Sequence, residues 1–129
     1  MSIQEIVTYL SSWEPTHEPM SESRRGLGRE LTEAVHKDPI RFAPEVAKFK
    51  GLDPTYVRAL IEGIRQGISQ TTDLPWSEIL SLCHWVVHQP IVIEGRQVDK
   101  WNDDPDWGWT RKTIAGLLGA GLEIGRAHV

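Results

Sequence analysis

The apolar residues of this chain recur mainly three or four positions apart, the spacing that places side chains on one face of an α-helix. Five segments carry such a stripe. The stripes are Ile3, Ile6, Val7, Leu10 and Trp13; Leu27, Leu31, Ala34 and Val35; Val57, Leu60, Ile61, Ile64 and Ile68; Ile79, Leu80, Cys83, Val86 and Val87; and Ile114, Leu117 and Leu118. The pattern therefore predicts an all-α fold.

Signals for helix starts complete this prediction. Ser2 and Glu5 are spaced as a capping box, and Asp-Pro pairs begin at Asp38, Asp53 and Asp104. In each pair the aspartate is expected to cap a helix whose first residue is the proline. Asp73 is the expected cap before Leu74-Pro75, whereas Pro44 must end or kink the helix that contains it.

We thus expect about six helices in a single domain over residues 1–122. Their predicted positions are near residues 2–13, 21–37, 39–50, 53–70, 75–89 and 105–122. Because the connections are short, consecutive helices should pack as antiparallel hairpins. Residues 91–98 could form a small hairpin, but an extended loop over 91–103 is the preferred prediction, since a lone hairpin is marginally stable.

Two tryptophans favour an α-solenoid-like stack, with an irregular bundle as the other architecture. By the 100° rule, Trp85 lies opposite the Ile79–Cys83 face of its helix, and Trp109 lies opposite the Ile114–Leu118 face. Helices that are apolar on two sides require neighbours on two sides, as the inner helices of a solenoid do. The alternative is that these tryptophans are simply exposed.

Composition and charge narrow the class of protein. The net charge of −4 argues against nucleic acid as a partner. The lone Cys83 excludes an internal disulfide, and the most apolar window, residues 113–122, is too short to cross a bilayer. These features predict a cytoplasmic protein that does not enter a membrane.

The last seven residues, Glu123 to Val129, read EIGRAHV. This peptide resembles the translation of a common sequencing adapter, so we expect residues 123–129 to be a non-native tail and the chain to be truncated at Leu122. The helix before the tail carries small residues that suit close packing of a further helix: Ala115, Gly116, Gly119 and Ala120. Self-association through this end is a corresponding expectation.

Three motifs suggest chemistry but are better explained by structure. His84 and His88 have metal-ligand spacing, yet no glutamate follows the first histidine. The acidic stretch from Asp104 fails the calcium-loop pattern, and Gly26-Leu27-Gly28 lacks the third glycine of a dinucleotide-binding loop. We therefore predict no catalytic residue, metal or cofactor.

Two clusters are the candidate partner contacts. One is a loop rich in tryptophan and aspartate, since aromatic anchors dominate interface energies. The other is the compact basic cluster, which interleaved glutamates could neutralise or which could bind a phosphate or an acidic partner. The candidate residues are Trp101, Asp103, Trp107 and Trp109 in the loop, and Arg24, Arg25 and Arg29 in the basic cluster.

Asp-Pro-capped helices packed in pairs resemble a segment of a HEAT-like or armadillo-like α-helical repeat protein. The resemblance covers residues 21–122, although the helix starts are unevenly spaced. It implies a non-catalytic scaffold or protein-interaction region of a larger multidomain protein, whose partner is another protein or an adjoining domain. The alternative is a helical accessory region of an NTPase or nuclease whose catalytic domain lies outside this chain.

Overall fold

A computed structural model describes residues 1–16, 21–70, 73–96 and 103–127. Within these ranges the protein contains helices and no strand, which confirms the all-α prediction. The six α-helices and two 3₁₀ helices are α1 Ile3–Ser12, α2 Arg24–Lys37, α3 Pro39–Phe42 followed by the 3₁₀ helix η1 Ala43–Phe49, α4 Pro54–Gly67 followed by the 3₁₀ helix η2 Ile68–Gln70, α5 Trp76–Val87 and α6 Gly108–Ala127.

Several helices begin where local capping predicts. The Ser2 hydroxyl accepts a hydrogen bond from the Glu5 amide at 3.1 Å, and the Glu5 carboxylate accepts one from the Ser2 amide. Ser23 caps α2 by accepting from the Gly26 amide at 3.0 Å. Asp53 caps α4 by accepting from the Thr55 amide at 3.0 Å, as its Asp-Pro pair predicts.

Two other predicted caps are wrong, and a third, Asp38, is confirmed only in its position before Pro39. Asp38 makes no capping hydrogen bond, and Pro75 rather than Asp73 holds the cap position of α5. Asp104 does not cap α6, because that helix begins only at Gly108, whose amide donates to Asp106 at 2.7 Å. The carboxylate of Asp104 instead binds arginines from elsewhere in the fold.

Helix boundaries differ from the prediction at two further places. The helix expected over 39–50 is interrupted at Pro44, as that proline predicts: α3 gives way to the 3₁₀ helix η1, in which Glu45 adopts a non-helical φ of −114°. At the other end, α6 starts three residues later than predicted and continues past 122 to Ala127.

Helices α2 and α4 lie side by side and run parallel. Residues further along α2 contact residues further along α4, which shows that the two helices are parallel. Gly28 of α2 faces Ala59, the Thr32 hydroxyl donates to the Ala59 carbonyl at 2.8 Å, and Val35 faces Gly63. A methyl group on Gly63 would lie 2.6 Å from the Val35 Cβ, so glycine permits this close approach.

Helix α4 packs against α2 on one flank and α6 on another, while η1 contacts both α1 and α5. Arg58 and Arg65 of α4 lie beside Trp109 and Gly116 of α6, in rising order, so α4 and α6 are also parallel. By contrast, α5 and α6 are antiparallel, because Arg111 bonds the Val87 carbonyl and Gly121 faces Trp76. The expected hairpin of consecutive helices is thus confirmed for this pair.

The core is apolar and continuous, with Tyr56, Phe42 and Phe49 as its largest fully buried side chains. Four residues of the predicted stripes are exposed instead: Ala34, Leu80, Val87 and Leu118. Each lies at the edge of its stripe, where a 3.6-residue period turns away from the core. None of the helices in the described ranges is both long and apolar enough to cross a bilayer.

Candidate functional site

The amino-terminal ends of α2, α4 and α6 lie together, since the three helices are parallel neighbours. The positive ends of three helix dipoles therefore point to one region of the molecule. Three aspartates occupy this region: Asp53 at the cap of α4, and Asp103 and Asp104 in the segment before α6. Four arginines surround them.

Asp104 is the most buried member of this charged cluster. Its side chain has no exposed surface and accepts hydrogen bonds from Arg58 Nε at 2.6 Å and Arg58 Nη2 at 3.1 Å. Its backbone amide donates to the Thr55 hydroxyl at 2.9 Å, which ties it to the first turn of α4. Arg25 Nε lies 3.7 Å away, close enough for charge attraction but too far for a hydrogen bond.

Asp53 is paired in the same bidentate way, with Arg96. Arg96 Nη1 and Nη2 donate to its two carboxylate oxygens at 2.7 and 3.1 Å, and Arg96 also donates to the Asp104 carbonyl. Burial alone would raise the pKa of Asp53, but the Arg96 and Thr55 hydrogen bonds hold that pKa below its ordinary value. Asp53 is therefore a structural carboxylate that stays ionised near neutral pH and is a weaker base than an ordinary aspartate.

The two predicted contact clusters meet each other at this site. Arg24 donates to Asp103 at 3.2 Å and to Glu14 at 3.1 Å. Arg25 donates to the Asp103 carbonyl at 3.1 Å, and its guanidinium lies 4.8 Å above the Trp109 ring. Four of the seven candidate residues thus bind one another within the chain.

The other three candidates have different positions. Trp107 is only 6% exposed and packs edge-to-face on Trp85, with 5.3 Å between the ring centroids. Arg29 is exposed and makes no ion pair or hydrogen bond within the described residues. Trp101 lies outside the described residues.

Sequence reasoning missed Arg58 and Arg96, which complete the network. Arg58 lies next to Val57 within the buried stripe of α4, and Arg96 lies in the loop after α5. Neither has basic neighbours in the sequence, so neither forms a basic cluster there. The sequence contains no signal that would have identified these two arginines. The one hint is that Asp104 does not cap a helix, and this is known only from the structure, in which α6 begins at Gly108.

A groove of about 710 Å³ opens beside the network, in the size range of ligand and peptide sites. It lies between the end of α1, the start of α4, the end of α5 and the loop that follows α5. Its aromatic walls are Trp13, Tyr56, Trp85 and Trp107, and its outer rim includes the exposed residues Val92 and Glu94. Arg24, Asp53 and Arg96 contribute its polar floor.

Tyr56 is the buried polar residue of this groove. Its side chain is 1% exposed, and its hydroxyl has no hydrogen-bond partner. Burial raises the pKa of Tyr56 to about 12, against the opposing effect of the Arg24 charge. The phenol therefore stays protonated at neutral pH and retains an unused donor.

A second, smaller groove of about 240 Å³ lies between α2 and α4 on the other side of the network. Three arginines line it, together with small residues that leave the space open. The lining residues are Arg25, Gly28, Arg29, Thr32, Arg58 and Ala59.

The two histidines of α5 and the single cysteine make contacts within the fold. The rings of His84 and His88 stack with centroids 4.2 Å apart, and His88 Nδ1 lies 2.8 Å from the His84 carbonyl oxygen. Burial raises the pKa of the Cys83 thiol, which keeps it in the unreactive protonated form. In the described part of the chain, no group of three or more potential ligand side chains could hold a metal ion.

Comparison with known proteins yields no relative: no protein-family model, no curated protein and no solved structure matches this chain.

Proposed function

We propose that this chain is a non-catalytic helical interaction region, and that its aromatic groove receives a short segment of a partner protein. The observation that carries the proposal is the groove itself. Three tryptophans and a tyrosine line a single open cleft, and tryptophan and tyrosine are the residues on which binding energy concentrates at interfaces. An apolar or aromatic side chain of the partner would fill the cleft.

The state of the polar groups around the groove supports binding rather than catalysis. Asp53 is held ionised by arginine, and Tyr56 is held protonated by burial. Neither group has a pKa near neutrality, which a general acid or base at physiological pH requires. The polar groups that the floor offers a partner are Arg24 and Arg96, whose guanidinium groups suit a backbone carbonyl beside the inserted side chain.

The arrangement of helices supports the scaffold part of the proposal. Helices α2, α4 and α6 are parallel neighbours, while α5 runs antiparallel to α6 and packs on η1. Alternating layers of this kind are typical of HEAT-like and armadillo-like arrays, in which each helical hairpin stacks on the next. The groove would then be a contact surface of a longer assembly.

Selection from a displayed peptide library tests the proposal. We expect enriched peptides to share an aromatic or large aliphatic residue. Val92→Glu should weaken their binding at least about tenfold, because it places a charge at the rim of an apolar contact. Val92 is 71% exposed, so the variant should fold.

Val87→Glu is the matched control, since Val87 is 44% exposed on α5 and does not line the groove. Its affinity for the selected peptides should equal that of the unaltered protein. The proposal fails if no peptide is enriched or if Val92→Glu binds as tightly as Val87→Glu.

A further inference from the structure

We propose that the groove between α2 and α4 is an anion site that binds a phosphate group, through the guanidinium groups of Arg25, Arg29 and Arg58. This site is separate from the aromatic groove. It lies on the opposite flank of the charged network, and no residue lines both grooves.

The charge balance of the groove is the first argument. Arg25, Arg29 and Arg58 line it and no carboxylate does. Among the described residues, Asp104 forms the ion pairs with these guanidinium groups, and it is completely buried behind them. The Arg58 charge also acts on Glu62, which Arg65 binds more directly. The groove therefore has an excess of about two positive charges in a protein whose net charge is −4, where an anion would be attracted locally.

Unused hydrogen-bond donors are the second argument. An arginine carries five N–H donors, yet among the described residues Arg29 has no partner and Arg25 Nε is buried without an acceptor. Arg58 uses Nε and Nη2 on Asp104, which leaves Nη1 without a protein partner. Guanidinium groups favour planar, bidentate contacts with phosphate oxygens.

The shape of the groove agrees with a small anion. Gly28 and Ala59 form part of its lining, and they provide no bulky side chain to fill the space between the arginines. Its volume of about 240 Å³ accommodates a phosphate group with little room for a large ligand.

Acidic residues near the groove do not neutralise its excess positive charge. Glu62, one turn along α4 from Arg58, is bonded to Arg65 and Gln66. On α2, Glu33 pairs with Lys37, and Glu22, which precedes this helix, is exposed to solvent. Glu30 is exposed to solvent, where its charge is screened.

Titration calorimetry with inorganic phosphate at low ionic strength tests the inference. We expect saturable binding to the unaltered protein, and about a tenfold loss of affinity for Arg29→Gln, as for removal of one charge-assisted contact. Arg29 has no structural contact, so this variant should remain folded. Lys50→Gln removes the same charge from a lysine that lines neither groove and bonds the Ser81 hydroxyl rather than a carboxylate, and its affinity should be unchanged.

Acetate at matched ionic strength separates phosphate from carboxylate recognition, and we expect it to bind at least about tenfold more weakly, since it offers one charge and two oxygens. Equal binding of acetate would overturn the assignment to phosphate. Absence of saturable phosphate binding, or equal losses in Arg29→Gln and Lys50→Gln, would overturn the site itself.

Discussion

Asp104 holds the segment before α6 against the rest of the fold. A fully buried carboxylate is tolerated only when it is paired and hydrogen-bonded, and the Asp104 carboxylate meets both conditions through Arg58. The Asp104 backbone amide also donates to the Thr55 hydroxyl. Arg96 adds a bond to its carbonyl. One residue therefore joins α4, the loop after α5 and the start of α6.

Asp104→Asn should destabilise the protein by about 3 kcal/mol, because it leaves Arg58 without its charged partner in a region of low exposure. Urea denaturation measures this change in the free energy of unfolding. Glu45→Gln, which breaks the exposed pair with Lys48, is the control and should change it by less than about 1 kcal/mol. Equal effects of the two substitutions would contradict the structural role of Asp104.

The ionisation of Asp53 should make the free energy of unfolding depend on pH. Its pKa in the folded protein lies below the ordinary value of 3.8, so its ionised form stabilises the fold at pH above that value. This contribution is lost as the pH falls through the lowered pKa. The free energy of unfolding should therefore fall more steeply below about pH 4 in the unaltered protein than in Asp53→Asn, and parallel pH profiles would contradict the assignment.

The residues of this network show what local sequence could and could not predict. Arg24, Arg25 and Asp103 stood out from their composition, but a sequence pattern does not reveal that they contact each other across 78 or 79 positions. The Asp53 cap was predictable because capping depends on adjacent residues. Asp104 was assigned the same role and is instead bound by long-range partners.

Close packing of α2 on α4 is the main contact between elements, and glycine makes it possible. Gly63 lies against Val35 and the Thr32 carbonyl, with no room for a side chain. Gly119, in α6, has nothing within 4 Å of the position that a Cβ would occupy. A substitution by alanine therefore meets a crowded environment at Gly63 and open space at Gly119.

Gly63→Ala should destabilise the protein by about 1 to 3 kcal/mol, since the new methyl group forces the two helices apart. Gly119→Ala should stabilise it by about 0.5 to 1 kcal/mol, because alanine is the better helix former. Thermal unfolding followed by circular dichroism gives both values. A stabilising Gly63→Ala would contradict the close helix contact.

Helices were predicted correctly from the sequence where the apolar residues kept a regular helical period over a long segment. The stripe of α4 and the capping box of α1 are confirmed, whereas the region after Asp38 became α3 and η1 because Pro44 interrupts the helical hydrogen bonds. The antiparallel packing of α5 on α6 agrees with the expected hairpin, but their connection over residues 88–107 is long, so the short connections on which that expectation was based do not explain it. The parallel contact of α2 with α4 was not predictable, because it depends on how successive hairpins stack.

The whole molecule has one apolar face that no described residue covers. On α6, Ala115, Leu118, Gly119 and Leu122 are exposed at i, i+3, i+4 and i+7 spacing. Such a stripe suits the close approach of another helix. Self-association through α6 follows as an expectation.

Sedimentation should show an average mass that rises with concentration, because association would bury this stripe. Leu118→Lys should abolish the rise, whereas Leu80→Lys, at a similarly exposed position on α5, should not. A monomer at all concentrations, or an equal effect of both variants, would contradict association through α6.

The aromatic groove is the surface that we propose for partner binding, and its tryptophans provide the most direct test. Nuclear magnetic resonance of the indole N–H groups should be recorded during titration with a library-selected peptide. Trp13, Trp85 and Trp107 line the groove, whereas Trp76 and Trp109 do not. We predict that the first three signals shift with a common binding curve while the other two stay in place; shifts confined to Trp76 or Trp109 would contradict the proposed site.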